Sequence, residues 1–480
     1  MEQKKRVVIV GAGITGLSAA YRLQELSQEK QIPIEIFVLV DSEKQIGGAI
    51  ASSSQDGFLL EEGPDSFVSE KPWALNLCKR LGIESEIINT QDRFRKSFVV
   101  RKKTLMEVPD GFYLMAPMKV FPFLKSHIFS WFGKIRMGLE IFVPKKKNQN
   151  DESLSHFIRR RFGQEALDRI VQPMIGGIYG ADPEKLSLMA TFPRFLDMEQ
   201  KHGSVISALR NRKTQNSELR TQNSVSGPRY GMFLSFKQGI QTLVDALREK
   251  LPNDCICSDK KVNKIIRNKQ NNQWEIHMEG IPAPLEADEV IMATNAHKTG
   301  SLLEGLDEAL SQKLKSINYG SVVTMSFAFK REDIQHPLNG FGFVVPDKEN
   351  LSMVGCTFSH MKYEGRAPEG YVLLRAFVGG ALQEELLQLN DKDLEEKVLK
   401  DLNQLLGVDG KPLFVKTRRF MSSMPHYELG HCDKVKDIES LAIMHEGLYL
   451  TGNGYKGIGI PDCIHSGEIA AETIFEKMKG

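Results

Sequence analysis

The sequence predicts a mixed α/β (α+β) chain. It combines a discontinuous, Rossmann-like dinucleotide-binding domain with an antiparallel-sheet substrate domain and a helical insertion. Three observations predict this. Val7-Val8-Ile9-Val10 runs straight into Gly11-Ala12-Gly13-Ile14-Thr15-Gly16 and then into helical spacing. Strand patterns dominate from about residue 317 to residue 378. A second glycine-rich strand, turn and helix closes the chain from Gly447 to Lys479.

The elements follow in order. Four consecutive apolar residues read as a parallel strand buried on both faces. Gly11, Gly13 and Gly16 make the tight strand-to-helix turn. Ile14 and Thr15 lie in the first helical turn, whose free amides and positive dipole end suit a diphosphate. The motif follows a strand and opens a helix, as a dinucleotide site requires. A second strand, residues 34–40, leads to Asp41 and Ser42. A carboxylate there can hold both hydroxyls of an adenosine ribose. Gly47 and Gly48 follow, and a second glycine turn just past the ribose carboxylate points to FAD rather than NAD.

A short strand next meets the turn Gly63-Pro64-Asp65-Ser66, whose four residues are expected cofactor contacts. Residues 73–82 have helical spacing and a glycine stop. Residues 97–105 read as a hairpin. From about 111 to 143 the chain is aromatic, basic and amphipathic. That stretch suits an anionic membrane surface, the wall of a large apolar pocket or a packed helical cap. Residues 210–229 are polar and read as a surface loop. A helix is expected over 241–250, strands over 261–267 and 274–278, one buried strand over 286–294, and a helix over 386–406. Val262 and Thr294 on these strands are expected cofactor contacts. So are Gly452, Gly459, Ile460 and Pro461 at the closing turn, where Pro461 suits a first helical turn.

The bulk numbers bound the class. With 480 residues, two or three domains are expected. A net charge of +2 and the lack of a basic aromatic stripe give no nucleic-acid footprint. Six scattered cysteines suit a reducing cytoplasm, and no metal site is expected from their spacing. The first strand follows Met1 too closely for a signal peptide. No apolar run reaches the roughly 18 residues of a membrane span. The expected location is cytoplasmic, with peripheral membrane contact through residues 111–143 kept open. The expected boundaries are 1–93, 230–300 and 441–480 for FAD binding, 94–110 and 301–440 for substrate, and 111–229 for the helical insertion.

Three longer stretches carry a resemblance. Gly63-Pro64-Asp65-Ser66-Phe67, Gly177-Ile178-Tyr179 through Lys185-Leu186-Ser187-Leu188-Met189 to Thr191-Phe192-Pro193, and Gly457-Ile458-Gly459-Ile460-Pro461-Asp462-Cys463-Ile464 resemble the oxygen-dependent protoporphyrinogen/coproporphyrinogen III oxidases. The Ile-Pro before Asp-Cys leans toward the bacterial coproporphyrinogen type. The resemblance implies FAD as cofactor and a porphyrinogen as substrate. Six electrons would leave in three two-electron steps, with molecular oxygen reduced to hydrogen peroxide. It implies no catalytic side chain, since flavin N5 takes the hydride. Propionates would be held by basic residues such as Lys71, Arg95 and Arg101, beside Gly177 and Ile178. A ferrochelatase is a further implied partner, and the chain is expected as a monomer or homodimer. The sequence departs from the family at Gln45, where an arginine is usual, and at Asp41, where a glutamate is usual. A flavin amine oxidase or carotenoid desaturase, and a non-catalytic flavin- and porphyrin-binding module, are the alternatives.

Overall fold

The computed structural model describes residues 4–41, 46–113, 116–117, 119–148, 150–215 and 233–478. Ser42, Lys44, Gln45 and residues 216–229 lie outside them. Strand β1 (Lys5–Val10) feeds helix α1 (Ile14–Lys30), which returns the chain to β2 (Ile34–Leu39), parallel to β1 with Val7 opposite Ile36. On the other side β1 pairs in parallel with Glu289–Met292, and that strand with Leu448–Leu450. Ile256–Cys257 adds to the outer edge of β2. One five-stranded parallel sheet is thus assembled from segments spread over most of the chain.

Burial explains why these segments meet. Val7, Val8 and Ile9 are completely buried, as a strand covered on both faces requires. Burying each such side chain stabilises the fold by about 1.5–3 kcal/mol. Helix α1 lies along the C-terminal helix Ile460–Lys477. A methyl group on Gly467 would come within 2.3 Å of the Thr15 carbonyl, so only glycine allows this approach.

A second sheet has seven strands in the order Phe414–Pro425, Tyr319–Lys330, Tyr371–Gly379, Gly355–Phe358, Gly342–Val344, Phe98–Arg101 and Thr104–Glu107. Every pairing is antiparallel except Gly342–Val344 beside Phe98–Arg101. The helix Asp391–Leu406 shares a core with this sheet through Leu394, Val398 and Leu402.

Several local expectations are corrected. The single strand expected over 286–294 is two strands, Ile281–Ala287 and Glu289–Met292. The break falls at Asp288, whose carboxylate accepts the Arg6 amide at 2.7 Å. The helix expected from 386 begins at Asp391, because Asn390 caps it by accepting the Asp393 amide at 3.0 Å. Residues 210–215 belong to the helix Val205–Gln215 rather than to a loop.

The aromatic stretch is divided in its roles. Phe112, Phe123 and Phe129 cluster inside, while Phe121, Trp131, Phe132 and Phe142 are exposed on the short helices that follow. Phe132 is 82% exposed, far beyond what core packing leaves for a phenylalanine. Among the described residues no helix is long and apolar enough to cross a membrane.

Candidate active site

The glycine turns converge on one side of the parallel sheet. Gly11 has φ +115°, and a Cβ there would lie 2.8 Å from the Ala293 carbonyl oxygen. A Cβ on Gly16 would lie 2.0 Å from the Gly11 carbonyl oxygen. The second turn rests on the first: the Gly47 amide donates to the Ala12 carbonyl at 2.8 Å, and a Cβ on Gly48 would sit 3.3 Å from Gly13 Cα. Gly63 is packed as tightly, with its missing Cβ 1.7 Å from the Ala49 carbonyl oxygen.

Gly13 and Gly452 differ from these, since a Cβ on either would meet no atom within 4 Å. They face open space, so a ligand can approach the bare backbone there. Asp41 stands just past β2, with Lys298 Nζ 2.7 Å from its carboxylate. The Thr294 methyl packs beside Gly11, and its hydroxyl lies 2.9 Å from that of Thr299. Val262 is buried in a core shared with Val8 and Leu39. The closing turn brings Gly459 to the N-cap of the C-terminal helix, with Ile460 and Pro461 in its first turn. Burial raises the Cys463 thiol to about 12, and the Thr15 hydroxyl bonded to it pulls the other way. That contact sets the first turns of α1 and the C-terminal helix side by side. Two helix N-termini, open glycines and a carboxylate at the strand end together fit FAD.

A cavity of about 580 Å³ lies between this region and the antiparallel sheet. One wall is the turn formed by Gly63, Pro64, Asp65 and Ser66, and another is Met174 and Gly177 on the helix Gln172–Tyr179. Phe98, Phe343 and Phe377 come from the sheet. Ile178 follows Gly177 on that helix. Arg95 lines the cavity and is ion-paired with Asp92. Lys96, 47% exposed, is 3.0 Å from Glu107 and marks the open end with Arg93. Neither Lys71 nor Arg101 is among the lining residues. Lys71 donates to both carboxylate oxygens of Asp462, at 2.5 and 2.7 Å, and Arg101 ends its strand at the hairpin turn.

The buried end of the cavity carries charges that sequence reasoning missed. Lys362 Nζ is 2.7 Å from the Asp65 carboxylate, and the Ser66 hydroxyl donates to the same group at 2.7 Å. Arg375, 3% exposed, donates to the Glu62 and Gly63 carbonyls and so pins the turn. Burial would raise the Asp65 carboxyl, but Lys362 and Arg375 outweigh it and bring it down to about 2. A lone arginine inside the apolar run Leu373-Leu374-Arg375-Ala376-Phe377 is the signal that could have found it.

A pH prediction follows from the sign of that shift. The depressed carboxyl contributes stability that is fully present above its unfolded value near 4 and lost as pH falls toward about 2. The expected contribution is about 2 kcal/mol. In acid-unfolding curves the Asp65→Asn variant should lose the part of the slope between pH 4 and 2 that this group supplies. An unchanged curve would refute the assignment.

Comparison with known proteins gives one consistent picture. The family described as flavin containing amine oxidoreductase matches residues 14–475. The coproporphyrinogen III oxidase of Bacillus subtilis is 36% identical over 97% of both chains. That of Staphylococcus aureus is 32% identical over 99% of this chain and 100% of its own. A crystal structure from Exiguobacterium sp. 255-15, assigned as a protoporphyrinogen oxidase, superposes with a TM-score of 0.86 at 27% identity and covers 99% of both chains.

Proposed function

The chain belongs to the flavin containing amine oxidoreductase family and, within it, to the porphyrinogen oxidases, and from that premise we propose that it is an FAD-dependent, oxygen-using oxidase of haem biosynthesis that converts coproporphyrinogen III to coproporphyrin III. The cavity carries this reading. It joins a turn of the nucleotide region to an aromatic sheet face, and its lining there holds Arg93, Arg95 and Lys96 beside Asp92, Glu107 and Asp110. An apolar tetrapyrrole ring suits the aromatic walls, and its carboxylates suit the guanidinium and ammonium groups among the lining. The choice of coproporphyrinogen III follows the two relatives that bear that name at 36% and 32% identity. We assign residues 94–110 and 301–440 to substrate binding, and 1–93, 230–300 and 441–480 to FAD.

Bound FAD supplies the acceptor for three electron pairs, each passed to oxygen to give three hydrogen peroxide molecules per porphyrin. The chain's own residues hold and orient the ring. Gly63 and Pro64 present backbone to it, and Arg375 keeps that backbone in place by its two carbonyl bonds. Loss of hydride leaves positive charge on a pyrrole-conjugated carbon. The Asp65 carboxylate, ionised at neutral pH, faces the cavity where that charge develops.

The test is porphyrin fluorescence from purified yellow protein in air, with coproporphyrinogen III and protoporphyrinogen IX side by side. The expected kcat/KM is about tenfold higher for the first, one carboxylate contact being worth about 1.4 kcal/mol. No gain above the autoxidation blank with either substrate would reject the reading. Bleaching of the flavin by amines without oxygen would favour an amine oxidase.

We propose a peripheral contact as well. Phe121, Trp131, Phe132 and Phe142 are exposed, Lys125 lies over the Phe121 ring, and Lys119, ion-paired with Asp110, precedes the first of their short helices. That pairing suits an anionic membrane surface. The Phe121→Ser/Trp131→Ser/Phe132→Ser variant should fold normally and lose sedimentation with phosphatidylglycerol vesicles. Retained sedimentation would refute the membrane reading, and loss of ferrochelatase binding instead would assign the face to that partner.

A further inference from the structure

Asp462 is the third residue of the C-terminal helix, and Lys71 reaches it from the segment just past the turn at residues 63–66. As a partner for the helix dipole alone, Asp462 would need no lysine, because an acidic first turn already stabilises a helix. The pair's position suggests more. The neighbouring Cys463 thiol contacts Thr15 in the first turn of α1, where the diphosphate motif lies, and Lys71 is close enough to act on that thiol. On the other side, the charge of Asp462 is felt by Tyr179, which ends the helix that contributes Met174 and Gly177 to the cavity. The glycine loop closes directly on the carboxylate, since a Cβ on Gly457 would lie 2.4 Å from Asp462 Cγ. Lys71 and Asp462 therefore stand between the diphosphate turn and the substrate cavity. A flavin spanning the two would pass near this pair.

We propose that the Lys71–Asp462 ion pair is a charge-neutral element beside the flavin ring that sets how readily the ring accepts electrons. The inference rests on the FAD reading above. Reduction adds negative charge to the isoalloxazine. A bare carboxylate beside it would oppose that charge, while the helix N-terminus favours it. Lys71 cancels the carboxylate and leaves the helix end effective. One unit charge near the ring, acting through an effective dielectric constant of about 20, shifts such an equilibrium on the order of tenfold.

The experiment measures the flavin reduction equilibrium of the holoprotein against reference dyes. Lys71→Met should make reduction about tenfold less favourable, which is about 30 mV for a two-electron couple. Asp462→Asn should move it by a similar factor the other way, because Lys71 is then uncompensated. The double variant should return close to the parent, and Lys71→Arg should leave the equilibrium unchanged. Opposite signs cannot come from general loosening of the loop, which would move both single variants alike. Shifts of the same sign, or shifts under threefold in both, would overturn the proposal while leaving the oxidase reading intact. A parent protein that takes up no FAD would overturn both. Should a single variant bind flavin too weakly to titrate, the ratio of its affinities for oxidised and reduced flavin gives the same quantity.

Discussion

A Gly16→Ala protein is expected to purify colourless. The added methyl would lie 2.0 Å from the Gly11 carbonyl oxygen, a backbone atom with no flexible end to yield. Gly11 cannot retreat, since its own missing Cβ is already 2.8 Å from the Ala293 carbonyl oxygen. The turn must open, and its amides lose their common aim. We expect FAD affinity to fall at least a hundredfold, or about 2.7 kcal/mol. Gly13→Ala is the informative partner, because its methyl meets no atom within 4 Å and intrudes only on the space a ligand would take. That variant should melt like the parent apoprotein and still bind FAD weakly. Flavin absorbance per mole of protein, followed by FAD titration of the apoprotein, checks both. A Gly16→Ala protein that retains the parent's flavin content would show that the motif does not hold the cofactor.

The second large effect is on stability. Arg161 and Glu140 are both completely buried. Arg161 donates to the Glu140 carboxylate, to the Val143 carbonyl at 3.0 Å, to the Gly203 carbonyl at 2.7 Å and to Glu199 at 3.2 Å. Glu140 in turn accepts the Val205 and Ile206 amides at 3.0 and 3.2 Å. One guanidinium thus joins three segments beneath the exposed aromatic face. Arg161→Met leaves a carboxylate in the interior without its cation, which costs about 3–5 kcal/mol. Arg161→Lys should recover only part of this, because an ammonium cannot reproduce the planar fork. Chemical denaturation followed by far-ultraviolet circular dichroism reads the change. A loss below about 1 kcal/mol would show that the network carries little of the insertion's stability.

Local spacing made much of this molecule legible. The strand-turn-helix at Val7–Leu17 sits as its pattern predicts because glycine geometry and a continuous apolar run are properties of a few neighbouring residues. The hairpin at 98–107 and the helix Gln241–Lys250 were readable for the same reason. Other features had no local signal. The two strands part at Asp288, whose carboxylate accepts the amide of Arg6 from far away in the chain. Lys362 gave no cue that it would meet Asp65.

The sequence by itself determined the dinucleotide turn, the two kinds of sheet and the family resemblance, since each depends on short-range pattern. The tertiary structure alone decided which charges meet. It sent Lys71 to Asp462 rather than to the cavity, buried Arg375 behind the Gly63 turn, and left one face of the aromatic stretch in solvent. The physical reason is that a strand's face or a glycine's freedom is fixed by its neighbours in sequence. A salt bridge across hundreds of residues exists only once the chain has closed around it.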